Sequence, residues 1–395
     1  MIAWKQCKLG DIADVTKLAG FEFTEHVVYS DEGNIIALRG LNIKNGQLIL
    51  DDVKYIDGSN FSKLSRSKLF IDDIMFTYVG TVGEVAIIKE NDRFYLAPNV
   101  SRIRVKSDDS PKFISHYMRT DNFKNKVIFP LIATSSQPAL SMENIRKFTI
   151  NIPISREEQD CLAKYFDSLD RLITLHQQKI TLLTKLKKAM LEKMFPKKGT
   201  VIPEFRFSGF ANAWEQRKLG EIITEYKETV DSDCTLPILT SSKTEGVILQ
   251  EEHFGRKQQH DITGYNILPR NYCTYRNRSD GVDFTFNINK CCDKGIISKF
   301  YPVFSGKNSD VFFLSLVLNN SDEVVREIAY TCTGTGQKVL SFLDLQKMKV
   351  RVPSFDEQKE IATYFDSLDH LITLHQRRID MLKKLKSACL SEMFI

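Results

Sequence analysis

No run in these 395 residues is long and apolar enough to cross a bilayer, and the first residues, MIAWKQCKLGD, lack the charged-then-apolar order of a secretory leader. A cytoplasmic protein is the expectation. Cysteine occurs eight times, at 7, 161, 234, 273, 291, 292, 332 and 389, but never as CxxC and never with histidine at zinc-ligand spacing. Reduced thiols are therefore expected, and no metal site. Catalytic signatures are missing too: there is no Asn/Asp-Pro-Pro-Tyr/Phe tetrapeptide and no glycine-rich cofactor loop after a strand. SDDSPK at 107–112 is no convincing carboxylate pair with lysine for a nuclease. CTGTGQKVL at 332–340 has neither the spacing of a phosphate loop nor the Ser/Thr after its lysine. Charge is nearly balanced: 55 Lys and Arg against 50 Asp and Glu leave +5, which permits a polyanionic partner without demanding one.

What the chain has is a duplication. EQDCLAKYFDSLDRLITLHQQKITLLTKLKKAMLEKMF at 158–195 returns as EQKEIATYFDSLDHLITLHQRRIDMLKKLKSACLSEMF at 357–394, with 24 of 38 positions identical. AWKQCKLGDI at 3–12 returns as AWEQRKLGEI at 213–222 and marks where each copy begins. In the first repeat Leu162, Phe166, Leu169, Ile173, His176, Ile180, Leu183, Leu186, Met190 and Met194 fall at steps of three and four; Ile361, Phe365, Leu368, Ile372, His375, Ile379, Leu382, Leu385, Cys389 and Met393 follow suit. Each repeat is read as one amphipathic helix of about 57 Å with a coiled-coil seam. The obvious partner for each is the other, antiparallel about an internal pseudo-two-fold axis.

Ahead of each helix comes a strand, a proline and an acidic start, in which Ser155 or Ser354 caps the helix and Glu158 or Glu357 stands three residues on. Short β-branched runs alternate with polar ones further upstream, and helical stretches are expected near 111–123 and 310–328. The fold class expected is α+β: two globular domains on twisted, mainly antiparallel sheets, at 1–155 and 213–354, separated by two long antiparallel coiled-coil helices at 156–196 and 355–395. A linker at 197–212 is expected to be pinned by Phe205, Phe207 and Phe210.

The loops of both domains carry side chains fit for base edges and phosphates. In the first domain these are Arg39, Asn42, Lys44, Thr77, Tyr78, Thr81, Asn99, Ser101 and the run Thr134, Ser135, Ser136 and Gln137. The second offers Ser241, Ser242, Lys243, Tyr275, Arg276, Asn277, Arg278, Ser279 and the stretch from Thr333 to Lys338. The Tyr275–Ser279 cluster is the strongest candidate.

The helix starts at 157–173 and 356–372, the linker IPEFRFSGFANAWEQRKLGEI at 202–222 and DIMFTYVGTVGEVAIIK at 73–89 together resemble the specificity subunits of type I restriction-modification systems. The resemblance covers the whole chain. It implies a non-catalytic subunit with two target-recognition domains, each reading half of a split double-stranded DNA site, with the helices as a ruler. It also implies two methyltransferase subunits and two motor-nuclease subunits as partners, on which S-adenosylmethionine, ATP and Mg are held, and no cofactor in this chain. A bipartite DNA-binding regulator without enzyme partners is the alternative reading.

Overall fold

The computed structural model describes residues 3–18, 20–132, 138–197, 199–256, 261–281, 283–334 and 337–394. Among these no helix is long and apolar enough to span a membrane, and no group of three or more His, Cys, Asp or Glu is placed to hold a metal. The chain forms two compact units, and each borrows from the other copy's helix. One contains residues 1–177 with 377–395, the other residues 178–376. The first long helix, Arg156–Lys193, thus begins in one unit and ends in the other, and the second, Phe355–Met393, does the reverse.

In the first unit, Trp4–Lys8 pairs antiparallel with Thr149–Pro153 and hands the chain to the helix. A four-stranded antiparallel sheet carries the core, with Val100–Val105 between Ala13–Lys17 and Ile74–Thr77, and Val85–Ile87 beyond. A three-stranded sheet around Ile36–Leu38 adds the one parallel pair among the described strands, with Phe94–Leu96. The second unit repeats the strand-to-helix joint, Glu215–Lys218 with Lys349–Val352, and a four-stranded sheet with Cys273–Tyr275 inside it. The expected helices are present at Pro111–Met118 and at Val311–Asn320 followed by Asp322–Thr331. The α+β class and its mainly antiparallel sheets hold.

The repeated Glu-Gln at each helix start has a structural reason. Gln159 accepts the Ser110 amide at 2.7 Å and donates to the Pro153 carbonyl at 2.8 Å, while Gln358 accepts the Asp310 amide at 3.0 Å and donates to the Pro353 carbonyl at 3.0 Å. One buried side-chain amide in each copy thereby fastens the strand end, the start of the long helix and the N-terminus of an earlier helix. Ser155 and Ser354 cap as expected, receiving the Glu158 and Glu357 amides at 3.3 and 3.5 Å. Glu357 does not complete a reciprocal box. Its carboxylate instead accepts from Nε and Nη2 along one edge of the Arg206 guanidinium, at 2.6 and 2.6 Å.

The far end of each helix is a plug. Phe394 lies among Phe113 at 5.2 Å, Phe166 at 5.3 Å and Tyr117 at 5.7 Å, in the first unit. In the second unit Phe195 takes the same place against Phe313 at 6.0 Å, Phe365 at 6.3 Å and Trp214 at 5.8 Å. Burying such a ring contributes about 1.5–3 kcal/mol, which explains why both repeats end in Met-Phe. Lys386 is ion-paired with Asp170, and Lys187 with Asp369 at 2.5 Å, the same pair at repeat-equivalent positions. These contacts make the paired helix segments antiparallel within each unit. The seam is narrower than expected: Leu183 and Leu382 are buried, but Leu186 and Leu385 are exposed. The break is local: beyond it Met190 and Met194 pack into the second unit's core, and Cys389 and Met393 into the first unit's.

The linker is also corrected. Phe207 does pack, edge-on to Tyr364 at 5.8 Å, but Phe205 is exposed. The anchor is Arg206.

Candidate nucleic-acid interface

In the second unit the chain leaves the sheet interior at Tyr275 and surfaces at once. Arg276 is exposed, Asn277 is held by its backbone, donating to Phe300 at 2.9 Å and accepting from Leu340 at 3.0 Å, and Arg278–Ser279 pairs with Lys338–Val339. The hairpin of Leu239–Ser242 and Gly246–Leu249 rises beside it. Ser241, Lys243, Arg276, Arg278, Ser279, Asp280 and Asp283 line, with Phe284, Thr285 and Tyr301, a cavity of about 350 Å³. Loops about 35 residues apart in sequence thus converge on one surface.

Charge there is uneven. Lys243 is ion-paired with Asp283, which also accepts from Ser279 at 3.1 Å, and these two partners hold its carboxyl below the usual range. That neutralises Lys243 locally and leaves the positive character to the two arginines. Arg278 is fixed over the Phe300 ring, 4.4 Å from its centroid, so its planar fork is oriented before any ligand arrives. Tyr301 beside them is half-buried, and that burial raises its phenol against the pull of Arg276.

Several expected contacts are instead interior. Tyr275 is fully buried in a central strand, its hydroxyl donating to the Leu340 carbonyl at 3.1 Å. Burial also pushes that phenol far up. Thr77 is buried and closes its own loop, its hydroxyl donating to the Thr81 carbonyl and accepting the Glu84 amide at 2.9 Å. Ser101 is buried with its hydroxyl on the Phe76 carbonyl at 3.1 Å, and buried Asn42 is committed to the carbonyls of Ile49 and Asp52 at 2.9 and 2.7 Å. Each carries a polar side chain for the fold's own backbone. Lys338 donates to the Gly334 carbonyl at 2.8 Å, and Ser242 caps the turn at Thr244 and Glu245.

Of the remaining first-domain candidates, Arg39 is tied to Asp52 at 2.8 Å, and Ser136 and Gln137 lie outside the described residues. Lys44 is exposed on a hairpin whose turn, Asn45-Gly46, has φ of 51° and 81°, the left-handed pair of a two-residue turn. A Cβ on Gly46 would sit 2.1 Å from the Arg119 guanidinium, which would have to move aside, so the positive φ is what favours glycine there. Tyr78 and Asn99 are neighbours, the Tyr78 amide donating to Asn99 at 3.1 Å. Lys17, which the sequence did not single out, lies 5.5 Å over the Tyr78 ring. Only register could have found it: Lys17 stands opposite Ser101, at the end of the sheet from which Asn99 emerges.

A family model described as the type I restriction modification DNA specificity domain matches residues 1–185 and again 211–384. The chain belongs to that family. Among relatives, a putative type I restriction enzyme specificity subunit of Methanocaldococcus jannaschii, MjaX, is 25% identical over 373 residues, covering 87% of this chain and 82% of its own. The MjaVIII specificity subunit of the same organism is 22% identical over 353 residues, covering 83% and 80%. The crystal structure of a type I S subunit from M. genitalium aligns with a TM-score of 0.64 over 100% of this chain and 96% of its own, at 13% identity, a likeness of fold. For this specificity-family chain the double match coincides with the two copies seen in the repeat.

Proposed function

We propose that the chain reads a split, asymmetric DNA target, one half with each globular domain, and directs the methyltransferase and motor-nuclease subunits of a type I system to it. The chemistry then rests with the partners, which hold S-adenosylmethionine, ATP and Mg. The observation that carries this reading is the exposed Arg276–Arg278 pair beside a polar cavity, with Arg278 preset on Phe300. Forked donors of this kind suit guanine edges or phosphates. The first domain's Lys44, Tyr78, Asn99 and Lys17 form the weaker half of the reading. Docking of two like partners is supported by exposed apolar rows at repeat-equivalent positions, Leu172, Leu175, Leu182 and Leu186 on one helix and Leu371, Leu374, Met381 and Leu385 on the other.

The test is Arg276→Ala and Arg278→Ala in the complex reconstituted with its methyltransferase, against cognate and singly mismatched duplexes. A base contact costs about 1–3 kcal/mol and relaxes one position; a phosphate contact weakens all sequences alike and lowers the salt slope by about one. If neither substitution changes binding or methylation, the interface is elsewhere.

A further inference from the structure

The two units differ at one repeat-equivalent groove: in one it is filled, in the other open. In the second unit the linker lies along the start of the long helix, where Arg206 meets the buried Glu357, Phe207 covers Tyr364 and the Phe205 amide donates to Lys193 at 2.9 Å. Trp214, at the end of that linker, is 3% exposed and touches Phe313 at 5.6 Å. The first unit has the same furniture. Trp4 touches Phe113 at 5.9 Å in the same edge-on manner, Tyr165 stands for Tyr364 and Glu158 for Glu357. Nothing among the described residues covers it. Tyr165 is 39% exposed, Trp4 and Leu162 are only half-buried where Trp214 and Ile361 are buried, and Glu158 Oε2 is shielded from water with no hydrogen-bond partner. A shielded carboxylate oxygen without a donor is costly to keep. Its counterpart has a guanidinium.

We infer that this groove on the first unit is a docking site for an extended peptide segment of a partner protein carrying an arginine followed by an aromatic residue, bound as Arg206-Phe207 is bound in the second unit. The guanidinium meets Glu158 and the following ring covers Tyr165. One difference sets specificity. In the filled groove Glu204 is paired with Lys193 at 3.1 Å, but the residue at that helix position in the other repeat is Glu392. An occupant of the open groove therefore carries a neutral or basic residue two places before its arginine, since an acid would face Glu392.

The probe is a fluorescein-labelled peptide of residues 201–211 with Glu204 replaced by lysine, titrated by anisotropy into the full chain. Saturable binding of one peptide per chain is expected, weakened roughly tenfold or more by Glu158→Gln or by alanine in place of the peptide's arginine, and unchanged by Glu157→Gln on the exposed side of the same turn. The parent peptide, with its glutamate, binds more weakly than the lysine version. Thermal melts of Glu158→Gln and Tyr165→Ala show both variants folded. The inference is overturned if no saturable binding occurs, if Glu158→Gln binds as well as the parent chain, or if the chain forms a dimer that Arg206→Ala abolishes, because the groove would then take a second copy's linker instead.

Discussion

Removing Arg206 exposes how the second unit is held. In Arg206→Met the carboxylate of Glu357, whose side chain is 1% exposed, loses both 2.6 Å hydrogen bonds and its counter-charge without gaining water. Breaking a buried pair from one side costs about 3–5 kcal/mol. For a unit of this size each kcal/mol moves the melting midpoint by roughly 2–4 °C, so a fall of roughly 6–20 °C is expected. The repeat supplies the control. Glu158→Gln removes a carboxylate that has no donor for Oε2, so its effect lies within about 0.5 kcal/mol of zero or is stabilising. The chain has two tryptophans, Trp4 in the first unit and Trp214 in the second, and a Trp4→Phe background leaves Trp214 as sole reporter in urea or thermal unfolding. Equal shifts for Glu158→Gln and Glu357→Gln, or an Arg206→Met midpoint close to that of the parent, would refute the reasoning.

Acid sensitivity is expected to enter through His116. Burial lowers its pKa against the pull of Asp167 at 3.0 Å, with Arg119 adding to the lowering, so the unfolded chain takes up the proton first. Stability of the first unit is then complete above the unfolded value of about 6.5 and falls as pH drops below it. His116→Leu, the residue that the second unit carries at Leu316, should remove the loss between about pH 6.5 and 5 in urea titrations; an unchanged slope assigns it elsewhere. The ruler proposal predicts a second outcome. Because each helix delivers its terminal phenylalanine to the other unit's core, four residues must be inserted in both helices together. The spacer should then lengthen by about 6 Å, roughly two base pairs. An unchanged spacer in a binding selection counts against the ruler.

The duplication and the α+β class were legible because identity and periodicity are properties of the chain itself. Which helix end serves which domain was not, since Phe195 and Phe394 fall just beyond the periodic positions and only their ring contacts show where they go. Exposure at the candidate interface was half legible. Arg276 and Arg278 are exposed as polar loop residues should be, whereas Tyr275, Thr77 and Ser101 are polar types that central strands bury by pairing each hydroxyl with a carbonyl. Arg206 was passed over in favour of its phenylalanine neighbours. A lone arginine in a linker has no periodic signal, and only the buried acid it meets reveals its role.

The most direct test of the central claim is to map methylated adenines in cells carrying this chain with its methyltransferase, before and after exchanging residues 213–354 for the corresponding domain of a relative. A two-part asymmetric motif is expected, in which the exchange rewrites one half and leaves the other half and the spacer unchanged. A single undivided motif, a change in both halves together, or methylation that persists without this chain would contradict it.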